Sequence, residues 1–189
     1  MRSFVLVLLT VVVPALSSAG TYPLSGMWRS APEETPLTTA FDESVWGKNA
    51  KSIRLVEMSV RPTGDATLTV TRRVVDAKGR TVKGSTSIEQ ADLTLGAVQN
   101  TNGVRAELAT SVKHAERRYP DDPQGTWMLE GLRVEVTTFT DNAATVEVRV
   151  DFPEGRGSFW ESLRRGNATQ KPAAPANQKP APANQKPAK

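Results

Sequence analysis

Polar and apolar residues alternate with a period of two through most of the stretch 51–152, and short clusters of Gly, Pro, Asn and Asp interrupt the alternation. Period two sends successive side chains to opposite faces of a strand, so the pattern predicts strands joined by turns. Strands are predicted over 52–61, 66–75, 80–90, 93–99, 104–118, 132–139 and 144–152. Asp76-Ala77-Lys78-Gly79 predicts a tight turn, Asn102-Gly103 offers positive φ cheaply, and Asp141-Asn142 marks a further turn. Only 41–46 suggests helix, one or two turns of it. The expected fold is all-β: an antiparallel up-and-down meander closing into a barrel of about eight strands.

The same alternation sorts side chains by face. Val146, Val148, Val150 and Phe152 share one face, matched by Leu132, Val134 and Val136. Leu68, Val70 and Val74 place Arg72 on the inner side. Ala106, Leu108, Thr110 and Val112 carry that side on to His114, Glu116 and Arg118. The inner surface is therefore expected to be apolar in its middle and polar at one end. Arg72, His114 and Arg118 are the candidate ligand-binding residues there. Trp46, in the long stretch between Ser30 and Lys51, is expected to cover the entrance, because long loops in compact domains often serve as lids. A guanidinium suits a ligand carboxylate; an Arg near a strand end can equally snorkel outward. The other tryptophans, Trp28, Trp127 and Trp160, read as anchors that plug barrel ends.

Ser25-Gly26-Met27-Trp28, standing before the meander, resembles the Gly-x-Trp opening of the calycin superfamily of lipocalins, fatty-acid-binding proteins and avidins. The resemblance implies a barrel closed at one end by Trp28 and holding a small ligand inside. It also implies an Arg near the final strand that packs over the Trp, for which Arg149, Arg156, Arg164 and Arg165 all qualify. The Tyr of the lipocalin Thr-Asp-Tyr turn is missing from Thr140-Asp141-Asn142.

The chain's ends change the picture. Met1-Arg2-Ser3, an apolar run over 4–13, Pro14 and then Ser17-Ser18-Ala19 make the three-part pattern of a secretory signal peptide. The run is shorter than the roughly 20 residues a bilayer crossing needs, so cleavage after Ala19 rather than anchoring is expected. Cysteine is absent, which excludes thiolate chemistry and favours a bacterial periplasmic or extracellular home over a disulfide-rich animal one. From Gly166 the composition turns to Pro, Ala and Lys, and the seven residues 174–180 recur unchanged as 181–187. Such chain cannot offset its ordering entropy and is expected to be disordered, with a reach of roughly 70 Å if fully extended. Three regions result: a cleaved signal (1–19), a β-barrel-like domain (20–165) and a tail (166–189).

The formal charge of +4 belongs to that tail. Removing Arg2, Lys171, Lys179, Lys186 and Lys189 from the 24 basic residues leaves 19, against 20 acidic ones. A nearly neutral body lacks the basic stripe of a nucleic-acid binder. Carboxylates alone rarely complete a zinc site around a single His, and Asp121-Asp122-Pro123-Gln124-Gly125 is too short of oxygen ligands for calcium and reads as a loop. No Gly-x-Ser-x-Gly elbow occurs. No catalytic residue, metal or cofactor is expected. The expected function is that of an exported, non-enzymatic binding protein holding a small apolar or amphipathic ligand in its barrel. The alternative is a cell-envelope module whose basic tail docks weakly to anionic envelope polymers or a partner.

Overall fold

The structure is a computed structural model that describes residues 21–102, 105–139, 144–153 and 157–166. The expected signal peptide, the tail from 167 onward, and the Asp141-Asn142 turn lie outside these residues. The chain forms β1 (Gly26–Arg29), β2 (Glu33–Pro36), α1 (Ala40–Trp46), β3 (Lys51–Val60), β4 (Asp65–Val75), β5 (Ser87–Asn102), β6 (Arg105–Tyr119), β7 (Asp122–Met128), β8 (Arg133–Phe139), β9 (Thr145–Asp151) and β10 (Ser158–Arg165). Antiparallel pairing runs β1-β10-β9-β8-β6-β5-β4-β3, and β3 returns to β1. Eight strands thus close a barrel, while β2 flanks β3 and β7 flanks β6. No helix among the described residues is long and apolar enough to cross a membrane.

The Asp76 turn forms as its residues predict. The Asp76 carbonyl accepts from the Gly79 N–H at 2.9 Å, and Gly79 takes φ +75°. Two strand boundaries differ from expectation. The strands expected over 80–90 and 93–99 are one strand, β5, which starts only at Ser87, because Lys83-Gly84 turns the chain again. The loop expected at Asp121–Gly125 opens strand β7, which pairs with β6 through Arg117 opposite Trp127.

Val146, Val148, Val150, Val136, Leu93 and Met58 are nearly inaccessible and fill the barrel. Alternation along these strands delivers one apolar side chain every second residue to the axis, which is why so regular a pattern yields one continuous core. Trp28 closes one end. It is fully buried, and its Nε1 donates to the Leu24 carbonyl at 2.7 Å. Of the four candidate arginines, Arg165 packs over it. Its guanidinium lies 4.7 Å from the Trp28 ring and donates to the carbonyls of Ser25 and Pro23. Tyr22 seals the same end by donating from its hydroxyl to the Gly96 carbonyl at 3.0 Å.

Candidate functional site

The opposite end is polar, and the strands dictate it. On β4 the inward series Ala66, Leu68, Val70 ends in Arg72; on β3 Met58 and Val56 lead to Arg54; on β5 Leu93 and Ala91 lead to Glu89. Phe152, the residue after β9, and Phe159 of β10 complete this end. On β6 a bulge intervenes. Leu93 pairs with Val112 but Asp92 pairs with His114, so one step on β5 spans two on β6. An extra residue reverses the facing of all that follows. Ala115 is therefore buried and Arg117 turns into the barrel mouth.

Glu89 is the centre of this mouth. It is 4% exposed, and its Oε1 accepts from Arg117 Nε at 2.9 Å and from Nη2, while Oε2 lies 3.5 Å from Arg72 Nε. A carboxylate withdrawn from water this far is tolerable only because two guanidiniums hold both its oxygens. Burial pulls Arg117 down, but Glu89 outweighs it and, with Tyr119 adding, sets the guanidinium above its ordinary pKa. The Arg72 guanidinium sits 5.8 Å from the Phe152 ring centre and 5.5 Å from that of Phe159, and the two rings are 6.1 Å apart. Arg54 lies 4.2 Å over Phe159, pairs with Glu161 at 3.4 Å and with Glu33 of β2, and leaves its Nε buried without a partner among the described residues. Burial first, and the nearby Glu33 second, raise the Glu161 carboxyl above its usual value, against the pull of Arg54.

A cleft of about 520 Å³ opens over this cluster, lined by Arg72, Ser87, Glu89, Arg117, Tyr119 and Phe152. Beneath it, among Leu68, Val70, Ala91, Leu132 and Val150, the free space is about 10 Å³. That is at the lower limit for a single water. The described interior under the mouth is filled by side chains, as an eight-stranded barrel allows.

Of the residues expected at the site, Arg72 stands in the mouth. His114 and Arg118 do not: the bulge turns both to the outer face, where each pairs with Glu116, His114 Nε2 at 3.5 Å and Arg118 Nε at 3.0 Å. Trp46 ends the seven-residue α1, which buries none of its residues, and Trp46 does not line the cleft. Trp127 and Trp160 are not end plugs either; they are 64% and 52% exposed. Sequence reasoning missed Glu89, Arg117, Tyr119, Arg54 and the placing of Trp127. A trace of the bulge was present, because Lys113 and His114 put two polar residues between the apolar Val112 and Ala115.

The site offers guanidinium N–H donors beside aromatic faces, a combination suited to holding an anion with an apolar body. No cluster of three or more metal-ligating side chains occurs among the described residues. No family model, curated protein or solved structure matches the chain.

Proposed function

We propose that the protein is an exported, non-enzymatic binding protein with a calycin-like barrel, and that it holds a small amphipathic ligand at the barrel mouth. The observation that carries this reading is the arginine cluster on Glu89 roofing a filled interior beside a 520 Å³ cleft, a volume in the ordinary range of ligand pockets. The Arg165 guanidinium stacked on the buried Trp28 supports the calycin-like part, as the Gly-x-Trp resemblance implies. The signal-peptide pattern of residues 1–19 supports export, and the lack of cysteine favours a bacterial over an animal setting for it.

One observation favours a second reading. A barrel filled to about 10 Å³ beneath its mouth also suits a solid scaffold whose Pro/Ala/Lys tail does the docking. Native mass spectrometry of the protein purified from the periplasm of an expressing bacterium separates the two. A small molecule that co-purifies, and still does so after deletion of 167–189, supports the mouth. An empty body, with envelope retention lost on tail deletion, supports the scaffold.

A further inference from the structure

The mouth restricts what its ligand can be. We infer that the ligand is a planar aromatic acid lying flat at the mouth between Trp127 and the Arg72–Arg117 pair, not an acyl chain that threads the barrel. This rests on the mouth being a binding site at all.

Three observations carry it. The first is the closed interior. An alkyl chain entering below Phe152 would meet Leu68, Val70 and Val150 around a cavity of only about 10 Å³ and would have to displace them. Protein interiors at crystal-like density do not yield such room without strain. The apolar part of any ligand must therefore rest on the mouth, where the space is about 520 Å³ and wide.

The second is the position of Trp127. It stands directly opposite Arg117 on the neighbouring strand, and directly opposed residues of an antiparallel pair project from the same face. Two residues further on, on that same face, Leu129 is buried in the barrel core. The face is thus the inner one, and Trp127, 64% exposed and outside the residues that line the cleft, stands opposite Arg117 on the neighbouring strand. An indole left in water next to a desolvated ion cluster is a ready stacking surface. Arg72 already stands among aromatic rings there, its guanidinium 5.8 Å from the ring centre of Phe152 and 5.5 Å from that of Phe159.

The third is charge. Arg72 and Arg117 share the single carboxylate of Glu89 and keep 35% and 23% of their side-chain exposure. Two positive charges against one leave a net positive pair facing the cleft. An anionic head group accepting from the unused N–H donors would complete their pairing, and a carboxylate matches the guanidinium fork.

The test is equilibrium titration of the full-length mature protein, stripped of bound material, with three probes. Naphthoate has flat rings and a charge, naphthamide the rings alone, and decanoate the charge on an alkyl chain. Naphthoate is expected to bind at least about tenfold more tightly than either of the others, the worth of one charge-assisted pairing or one stacked ring. Trp127→Ala should weaken naphthoate by about tenfold with unchanged thermal midpoint, Arg72→Gln should weaken it by about tenfold while also lowering the midpoint because Glu89 loses a partner, and Trp127→Phe should keep most of the affinity. Decanoate binding as well as naphthoate would overturn the inference and leave the mouth reading standing. Equal affinity for naphthamide would remove the acid from it. Naphthoate binding that ignores Trp127→Ala would put the ligand elsewhere, and failure of all three probes would sink the mouth reading as well.

Discussion

Replacing Glu89 with Ala leaves Arg72 and Arg117 in one small space with no charge between them. Removing one partner from a fully buried ion pair costs about 3–5 kcal/mol. Here the carboxylate is buried but the guanidiniums keep 23% and 35% exposure, so water screens part of the orphaned charge. The expected loss falls to about 2–3 kcal/mol. In a domain of about 150 residues each kcal/mol moves Tm by about 2–4 °C, so a drop of about 5–10 °C is expected. Thermal unfolding followed by circular dichroism, in sodium chloride and in sodium acetate at equal ionic strength, measures it. Acetate can enter the vacated position and should restore part of the loss in the Glu89→Ala variant while leaving the parent protein unchanged. A drop below about 1 °C, or the same recovery in chloride, would refute the idea that Glu89 is the internal counter-ion of the mouth.

Other consequences follow from the closed end and from β3–β5. Trp28→Ala empties the sealed end and should destabilise by about 3–5 kcal/mol, whereas Arg165→Ala, which loses a stacked cation and two hydrogen bonds, should cost about 1–3 kcal/mol; urea titrations rank the two. Gly64 sits at φ +90°, and a Cβ there would come within 2.9 Å of the Leu95 carbonyl oxygen, so Gly64→Ala should lower the urea midpoint by more than the roughly 1 kcal/mol of an unstrained change. Glu161 titrates above its ordinary 4.5 in the folded protein because burial disfavours its charge. The folded state therefore binds the proton more tightly than the unfolded chain, and its contribution to stability is complete below pH 4.5 and declines as pH rises through the raised value. Glu161→Gln should flatten that stretch of the stability–pH curve, and an unchanged slope would show that Glu161 is solvated like an ordinary surface carboxylate.

Most of the barrel was legible because one face of each strand is buried, and burial writes a period-two pattern that water would not enforce. β3, β4, β8 and β9 lie within a residue or two of their expected limits. The mouth was legible only where no irregularity intervened. Arg72 follows Leu68 and Val70 without interruption, so counting by two reaches it. Counting by two along β6 fails, since the extra residue between Val112 and Ala115 reverses the facing and sends His114 and Arg118 outward in place of Arg117. A bulge depends on how β5 and β6 twist against each other, and one strand's sequence does not state it. Glu89 was hidden differently: dividing β5 near Gln90 separated it from Ala91, Leu93 and Leu95, whose face it shares. The exposure of Trp127 is likewise tertiary. β7 pairs with β6 alone among the described strands, and its Trp127 and Met128 stay more than half exposed.

The central claim is that any ligand sits at the mouth above a filled barrel, and chemical-shift mapping tests it most directly. Titrating isotope-labelled protein with naphthoate should move the side-chain Nε–H resonances of Arg72 and Arg117 and the indole N–H of Trp127. The methyl groups of Val56, Val136 and Val148, fully buried along the barrel, should stay in place. Large shifts in those methyls with a silent Trp127 would contradict the account and place the ligand inside the barrel.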